Sequence, residues 1–581
     1  MRAARPTRGA AASPPPRAAP RTGSRRRRAS ASRRGSTKAP RVSLKLQRPK
    51  VARGCGVTLG LMRGAIAAGH EVTAETGARV LAAGGNAVDA CVAAGFASWV
   101  AESTLTGPGG GGFMLVHRAH DRGARLLDFF VAVPGRGLPP HERAEMEEVD
   151  VDFDRETSQV FHIGAPSTAV PGTAAGLEAA HRAYGTLPWP ELVAPAVELA
   201  REGIELTRPQ AYLHAILDVI LRHTEEGRRM YERDGERLVA GDRVAMPDLA
   251  RTLERIADHG ARELYHGELG RAIAAHVREH GGDIDERDLA EYRVVWRRPV
   301  RAAFKEHEFL SNPPPSSGGV LIAYGLRLLD RLTLEASLGS AEEIATLAEV
   351  MREQTRTRAA GFTSGLYRGG LARRLLADGE VEQGLARVRA RLEGLAEPVG
   401  APGTTQISVV DARGNAASMT ASTGSGSGVI VPGTGVHLNN MLGEYDLVAA
   451  SARPGMRLTS MMAPSMVLRG GLPRLVVGSA GSVRLRGAIL QIVNNVVGHG
   501  LDVGEAIDRP RMHLEEPHVH CEGGSDPAEV DRLEAMGYEV TRWRRRNLYF
   551  GGAAAVEVRE DGTLAAAGDP RRGGHGVVVE A

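Results

Sequence analysis

Apolar residues recur along this chain with two different periods, and the change between them divides it. Glu71 to Leu81 reads as a helix ended by Gly84-Gly85, because glycine takes the left-handed conformation that closes a helix. Asn86 then stands where a cap belongs, with Asp89 in the first turn behind it. Val88, Val92, Phe96 and Trp99 fall on one face of this second helix. A glycine loop, Gly107 to Gly112, runs into a strand at Phe113, and Leu126 to Val131 reads as another strand. Residues 140–157 are acidic and read as loop. Helical patterns punctuated by Pro and Gly occupy 165–260 and return at 268–280 and 340–395, where Arg and Glu alternate on solvated faces. Before the last of these, Pro313-Pro314-Pro315 makes a stiff turn, too rich in proline for a strand interior.

From residue 404 onward the period shortens to two. Strands are predicted at 405–410, 416–422, 434–438, 464–468, 474–478 and 552–558, with one helix, Leu485 to Val497, among them. A helix-rich first part and a strand-rich second part make an α+β chain, compatible with sheets sandwiched between helical layers.

The first of these strands opens on Gly403-Thr404-Thr405. A hydroxyl is a weak nucleophile until a base takes its proton, and a Thr that begins a chain carries its own base. Its α-amine has a reference pKa near ~8, so much of it can accept a proton near neutrality. Making such a Thr from an internal one requires cutting the Gly403–Thr404 bond. The Thr404 hydroxyl can attack its own preceding carbonyl, and Gly403 permits the distorted backbone that this attack needs. Gly-Thr-Thr alone is common, and its weight comes from what surrounds it.

Two glycine loops bear on this. Gly107, Gly109 and Gly112 spell a dinucleotide fingerprint, but the order here is helix, loop, strand, so no helix N-terminus faces a phosphate. Four consecutive glycines instead let other backbone pack closely, or wall a pocket. The second loop, Gly478-Ser479-Ala480-Gly481-Ser482, lies between a strand and a helix, where outward N–H groups suit an oxyanion. One such donor is worth roughly 3 kcal/mol in a transition state. An ordinary strand-to-helix turn would read the same.

Composition narrows the classes. Hydrophobic residues make up 42% and charged residues 24%, as in soluble globular proteins, and no apolar run reaches the length of a membrane helix. The aromatic share of 4% argues against a carbohydrate- or base-stacking surface. The net charge of +4 misleads, because residues 1–50 hold 16 Lys/Arg and no acid. The remaining 57 basic and 69 acidic residues give the body −12. The tail, 1–52, reads as disordered, and no basic surface continues it toward a nucleic-acid role. Cys55, Cys91 and Cys521 form no disulfide framework, so a cytoplasmic location is expected. His513, His518, His520 and Cys521 match no standard zinc spacing, and the nucleophile chemistry needs no cofactor or metal.

Nine stretches in order resemble the γ-glutamyltranspeptidase (glutathione hydrolase) family of N-terminal-nucleophile hydrolases. They are Gly84–Ala90, Gly109–Leu115, Ala169–Gly172, Pro314–Gly319, Thr404–Asp411, Leu438–Asn440, Ala463–Ser465, Gly478–Ser482 and Gly568–Arg571. The resemblance implies a four-layer αββα sandwich and a proenzyme that cuts itself before Thr404. A large-subunit part, 53–403, and a 178-residue small-subunit part, 404–581, would then form an interleaved heterodimer. Thr404 would attack a γ-glutamyl amide and pass the acyl group to water, an amino acid or a peptide. Ser422 falls where the family places a hydroxyl supporting the nucleophile, and Gly481 and Ser482 on its oxyanion-hole donors. Glu444 falls on its partner for the substrate ammonium, and Asn440 and Ser460 on further substrate contacts.

The sequence departs from the family in one region. Phe130 follows Asp128-Phe129 where the family has an Arg for the glutamyl carboxylate, which removes a bidentate partner. Gly424 replaces an Asn and Met461 a Ser. Arg136 or Arg484 is an alternative carboxylate partner. Two other readings stay open: an N-acyl amide hydrolase of the cephalosporin-acylase kind, and an unprocessed, non-catalytic homologue.

Overall fold

Two antiparallel sheets lie face to face, each covered on its outer side by helices. The computed structural model describes residues 62–139, 143–153, 157–332, 336–359, 361–392, 404–444, 447–448, 452–482 and 484–580. The basic tail, Cys55 and Gly403 lie outside them. In the first sheet the strands run Val295–Arg297, Gly123–Phe129, Gly111–Arg118, Ala416–Ser422, Thr405–Asp411, Met62–Ala68, His575–Glu580. In the second they run Val300–Phe304, His307–Ser311, Ser465–Arg469, Leu472–Ala480, Gly552–Val558, Leu564–Gly568.

Alternation along the strands builds the layers. Ile66, Met114, Ile407 and Met419 pack with helices such as Glu71–Ala82 and Ala87–Ala101. Their neighbours Ala65, Phe113 and Val410 face Met466, Val476 and Val556 of the second sheet. Val467, Leu475 and Val477 of that sheet turn the other way, onto Gly318–Arg331, Ala341–Arg356 and Arg484–Val493. This is the expected αββα sandwich.

The inter-sheet face turns polar toward the Thr404 end. Gln406 is buried there and donates to the hydroxyls of Ser408 (3.0 Å) and Ser418 (2.9 Å), while Thr420 donates to its carbonyl oxygen. Ser408 and Ser418 donate onward to carbonyls of the facing sheet, Ala554 at 2.9 Å and Val477 at 3.4 Å. Gly478 makes room for this group, since a Cβ there would lie 2.1 Å from the Gln406 carbonyl oxygen.

Helix ends follow their sequence signals. Asn86 accepts from the N–H groups of Val88 and Asp89, and the Asp89 carboxylate accepts from the Asn86 N–H, closing a capping box. The helix expected at Leu485–Val497 begins at Arg484 and leaves α geometry after Val493, continuing as a wider turn over Asn494–Gly498.

One expectation is overturned. The acidic stretch placed in a loop at 140–157 contains a strand, Glu147–Phe153, paired with Thr157–Ile163. Its acids alternate with Val149 and Val151, which are buried, so a period of two was present beneath the charge. The strands Met62–Ala68 and His575–Glu580 were not anticipated either. Both are short, and both carry small or β-branched residues flanked by glycine or charge.

The four-glycine loop serves close packing. A Cβ at Gly109 would lie 2.2 Å from the His437 carbonyl oxygen, one at Gly110 2.4 Å from that of Ser422, and one at Gly112 2.4 Å from that of Thr420. Backbone cannot yield as a side chain does. Gly112→Ala is therefore expected to cost about 1–3 kcal/mol, read as a lower thermal midpoint. Gly379→Ala, where a Cβ meets nothing within 4 Å in a helix, should leave the midpoint unchanged or raise it.

Candidate active site

Thr404 stands at the head of the Thr405–Asp411 strand, near the middle of the first sheet, and is 2% exposed. Thr405 pairs with Ala421, so one further step of the same register sets Thr404 opposite Ser422. On the other flank the strand pairs with Met62–Ala68, where Ala68 faces Ile407. Arg572 donates to the Thr404 carbonyl oxygen at 3.3 Å. Thr404 lines a small cavity together with Glu102, Ala480, Asp569 and Arg572.

Ala480 brings in the second glycine loop. The strand that ends there pairs Ala480 with Gly552, and the backbone then turns through Gly481 (φ +122°) and Ser482 (φ +49°) into the helix from Arg484. Four described non-glycine residues have positive φ. Arg122, Asp234 and Lys305 turn tight hairpins, whereas Ser482 does not. Strain held outside a hairpin is characteristic of functional turns. The turn therefore carries the Gly481 and Ser482 N–H groups on the chain that leaves the Thr404 cavity.

Ser422 accepts the Gly424 N–H at 2.8 Å. Gly424 (φ +73°) packs so closely that a Cβ would lie 2.1 Å from the Asn440 carbonyl oxygen and 2.7 Å from a Glu444 oxygen. Ser422, Asn440 and Glu444 are thus gathered on one flank of Thr404. Asn440 uses its amide within the loop: it accepts from the Ser425 N–H (3.0 Å) and donates to Ser425 Oγ (2.8 Å) and the His162 carbonyl (3.3 Å). Ser460 lies on the chain tied to this loop through Thr459 and Leu447. Its hydroxyl accepts the Met462 N–H at 3.0 Å, and its carbonyl accepts from Ser316 and Ser317.

Phe130 lies in the core between the sheets, fully buried and stacked on Phe113 at 5.4 Å. An arginine that sequence reasoning missed stands beside it. Arg457 pairs with Asp128 at 3.1 Å, donates to the carbonyls of Phe130 and Arg293, and lies 4.7 Å over the Tyr292 ring. Arg297 takes the other Asp128 oxygen at 2.7 Å. The two arginines weighed as alternatives are also engaged. Arg136 pairs with Glu291 at 2.7 Å, and Arg484 lies 4.2 Å over the Tyr549 ring.

Glu102 and Arg572 were likewise missed. Glu102 closes the Ala87–Ala101 helix and accepts hydrogen bonds from Thr73 (2.9 Å) and Thr405. Burial pushes its carboxyl up to about 7, against the lowering effect of those hydroxyls and of Arg572. Arg572 is brought down to about 10 by burial and by Arg484, so it stays charged at neutral pH. Its Nε is buried without a hydrogen-bond partner. Asp569 is held below the ordinary carboxylate range, burial notwithstanding, by Arg511 (2.7 Å) and Arg571 (3.1 Å).

The histidines weighed as ligands belong to an aromatic packing group. His513 pairs with His520 across a hairpin, and His520 accepts from the Trp543 indole at 3.0 Å. Among the described residues, His276, Glu279 and His280 approach one another closely enough to share an ion, at the exposed C-terminal end of a helix.

A family model described as Gamma-glutamyltranspeptidase matches residues 73–579. The Acylase ACY 1 proenzyme of Pseudomonas sp. (strain SE83) is 32% identical, over 89% of this chain and 94% of its own length. The glutathione hydrolase proenzyme of Escherichia coli (strain K12) is 31% identical over 88% and 90%. That of Pseudomonas aeruginosa is 33% identical over 89% and 95%. Among solved structures, cephalosporin acylase from Bacillus halodurans matches with a TM-score of 0.77 at 23% identity, covering 92% of this chain and 99% of the other. This is a likeness of fold.

The raised Glu102 carboxyl gives a pH signature. A carboxyl with folded pKa near 7 against an ordinary 4.5 binds its proton more tightly when folded. Its contribution to stability is full below about 4.5 and is lost as pH rises through about 7. In an uncut Thr404→Ala chain, adding Glu102→Gln should remove a decline on the order of 3 kcal/mol across that window. Denaturant titrations at pH 4.5 and 8 measure it.

Proposed function

This chain belongs to the γ-glutamyltranspeptidase family, and from that premise we propose that it is a self-cutting amide acyltransferase or hydrolase. It is made as one chain and becomes a two-chain enzyme acting on small-molecule amides. The preferred donor is a γ-glutamyl amide such as glutathione, with water, an amino acid or a peptide as acceptor. The reading is carried by one observation: Thr404 sits opposite Ser422 at a strand head and shares a cavity with Ala480, where the strained Gly481-Ser482 turn begins.

In the first step the Thr404 hydroxyl attacks the Gly403 carbonyl and the C–N bond breaks. Water then releases the Gly403 carboxyl and leaves a free amine on Thr404. In turnover that amine takes the hydroxyl proton as Oγ attacks the substrate carbonyl, and returns it to the departing amine. The Gly481 and Ser482 N–H groups would meet the oxyanion. Water or an acceptor amine then resolves the acyl-enzyme. Ser422 would steady the nucleophile, and Glu444 and Asn440 shape the acyl side.

A second reading is favoured by Phe130. The Asp128-Phe129-Phe130 stretch offers no arginine of its own, and Arg457 beside it is consumed by Asp128 and by carbonyl oxygens. A donor without a carboxylate, an N-acyl amide, suits that flank as well.

Intact-mass measurement should find two chains, the shorter one beginning at Thr404. Thr404→Ala should give a single chain and lower amide turnover by at least about a thousandfold. A single wild-type chain, or a Thr404→Ala protein that still cuts and turns over, would overturn the proposal. Comparing glutathione with an N-acyl amide lacking the glutamyl ammonium separates the two donor classes.

A further inference from the structure

Glu102 has no part in the chemistry above, yet its carboxyl is buried beside the nucleophile. It caps the C-terminal end of the Ala87–Ala101 helix, where the helix dipole disfavours a negative charge. Thr73 and Thr405 each donate to one of its oxygens. Gly69 leaves the gap it occupies: a Cβ there would lie 2.2 Å from Glu102 Oε2 and 3.0 Å from Thr405 Oγ1. Glu102, Thr404 and Arg572 line one cavity. All of this lies on the Met62–Ala68 flank of the nucleophile strand, away from Ser422, Asn440 and Glu444.

We infer that Glu102 is a positioning residue for the amine that cleavage creates at Thr404, serving as its countercharge in the cut enzyme. The inference rests on Thr404 being the new N-terminus. Hydrolysis of the Gly403–Thr404 bond adds hydroxyl to the Gly403 carbonyl and hydrogen to the Thr404 nitrogen, turning a neutral amide into a basic amine. A neutral Glu102 carboxyl can pass its proton to that amine, which leaves a carboxylate beside an ammonium at rest with no charge entering from solvent; the neutral amine that takes the hydroxyl proton forms as this ammonium titrates. Before the cut, a neutral carboxyl is the form that burial favours. After the cut, the pair satisfies both members.

Other charges around the site set the sign of the test. Arg572 lines the same cavity and acts electrostatically on Glu102, and Arg484 and Arg511 act in turn on Arg572. Asp569 lines the same cavity and is already committed to Arg511 and Arg571. His70 lines an adjoining small cavity that shares Glu102 and Arg572, with Glu71 and His575 beside it. A carboxylate near the amine raises its proton affinity, and a guanidinium lowers it. Removing one or the other must therefore move the amine in opposite directions.

The readout is the acid limb of the kcat/KM pH profile, measured on cut enzyme whose Thr404 terminus has been verified by mass. Glu102→Gln is expected to be cut and to move the limb down by about one unit or more. Arg572→Gln should move it up. Glu102→Asp, which draws the charge back by one methylene, should give a smaller downward shift, and it is read alone if Glu102→Gln does not fold. An acid limb unmoved in cut Glu102→Gln, or in Glu102→Asp when that variant stands alone, overturns the proposal. So does a Glu102→Gln chain that folds but stays uncut, since a countercharge to an amine that does not yet exist has no place before cleavage. A wild-type chain lacking a Thr404 terminus sinks the functional reading itself, a result distinct from any shift among variants.

Discussion

A buried amide two residues behind the nucleophile fixes how the two sheets face each other. Gln406 sits on the inter-sheet face with both ends of its side chain satisfied, and the hydroxyls that satisfy it reach the backbone of the facing sheet. In a low-dielectric interior, losing one such partner costs about 1–3 kcal/mol. A slip of one residue along the strand would turn Gln406 toward the helices and Ile407 toward the hydroxyls, reversing every side chain at once. The network therefore holds one register, and that register sets Thr404 opposite Ser422 with Ala480 at the same cavity. The glycine at 478 is part of the same constraint, because any side chain there would displace the amide.

Much of this was legible from residue pattern. The nucleophile strand and its return, Thr405–Asp411 and Ala416–Ser422, follow a period of two, and Asn86 with Asp89 announces its helix start. Motif order supplied the layered architecture that periodicity alone left as a class. The acidic Glu147–Phe153 strand was hidden because Glu147, Glu148 and Asp150 are exposed while Val149 and Val151 go inward. Glu102 and Arg572 were invisible for a different reason. Glu102 reads as an ordinary charge just past an apolar helix, and Arg572 as one of two adjacent basic residues after Asp569-Pro570. Only the long-range approach of Gly69, Thr73 and Thr405 turns the first into a buried group, and only the Thr404 carbonyl gives the second its place.

The two flanks of Thr404 are built differently. On the Ser422 side the polar groups are largely spent on the protein itself: Asn440 ties Ser425 to His162, Ser460 ties down Met462 and the Ser316-Ser317 turn, and Arg457 neutralises Asp128. On the Gly69 side stand a carboxyl pushed up to about 7 and a guanidinium whose Nε has no hydrogen-bond partner. The Gly69 flank of Thr404 thus carries a buried carboxyl and a guanidinium, while the Ser422 flank carries Glu444.

That asymmetry bears on specificity. A buried charge pair is costly to form and costly to break, so a site keeps one where its sign is needed. At Phe130 the opposite choice was made. An aromatic ring stacked on Phe113 fills the space between the sheets, and the neighbouring Asp128 is closed off by Arg297 and Arg457. Restoring an arginine at 130 would place a third guanidinium beside one saturated carboxylate, inside an apolar layer, with no partner until substrate arrives. Burying such an unpaired charge costs several kcal/mol, more than a single substrate carboxylate is expected to return. Placing an arginine here therefore requires that Arg457 or Asp128 change together with Phe130. The character of this layer is held by a group of residues, and Phe130 alone does not set it.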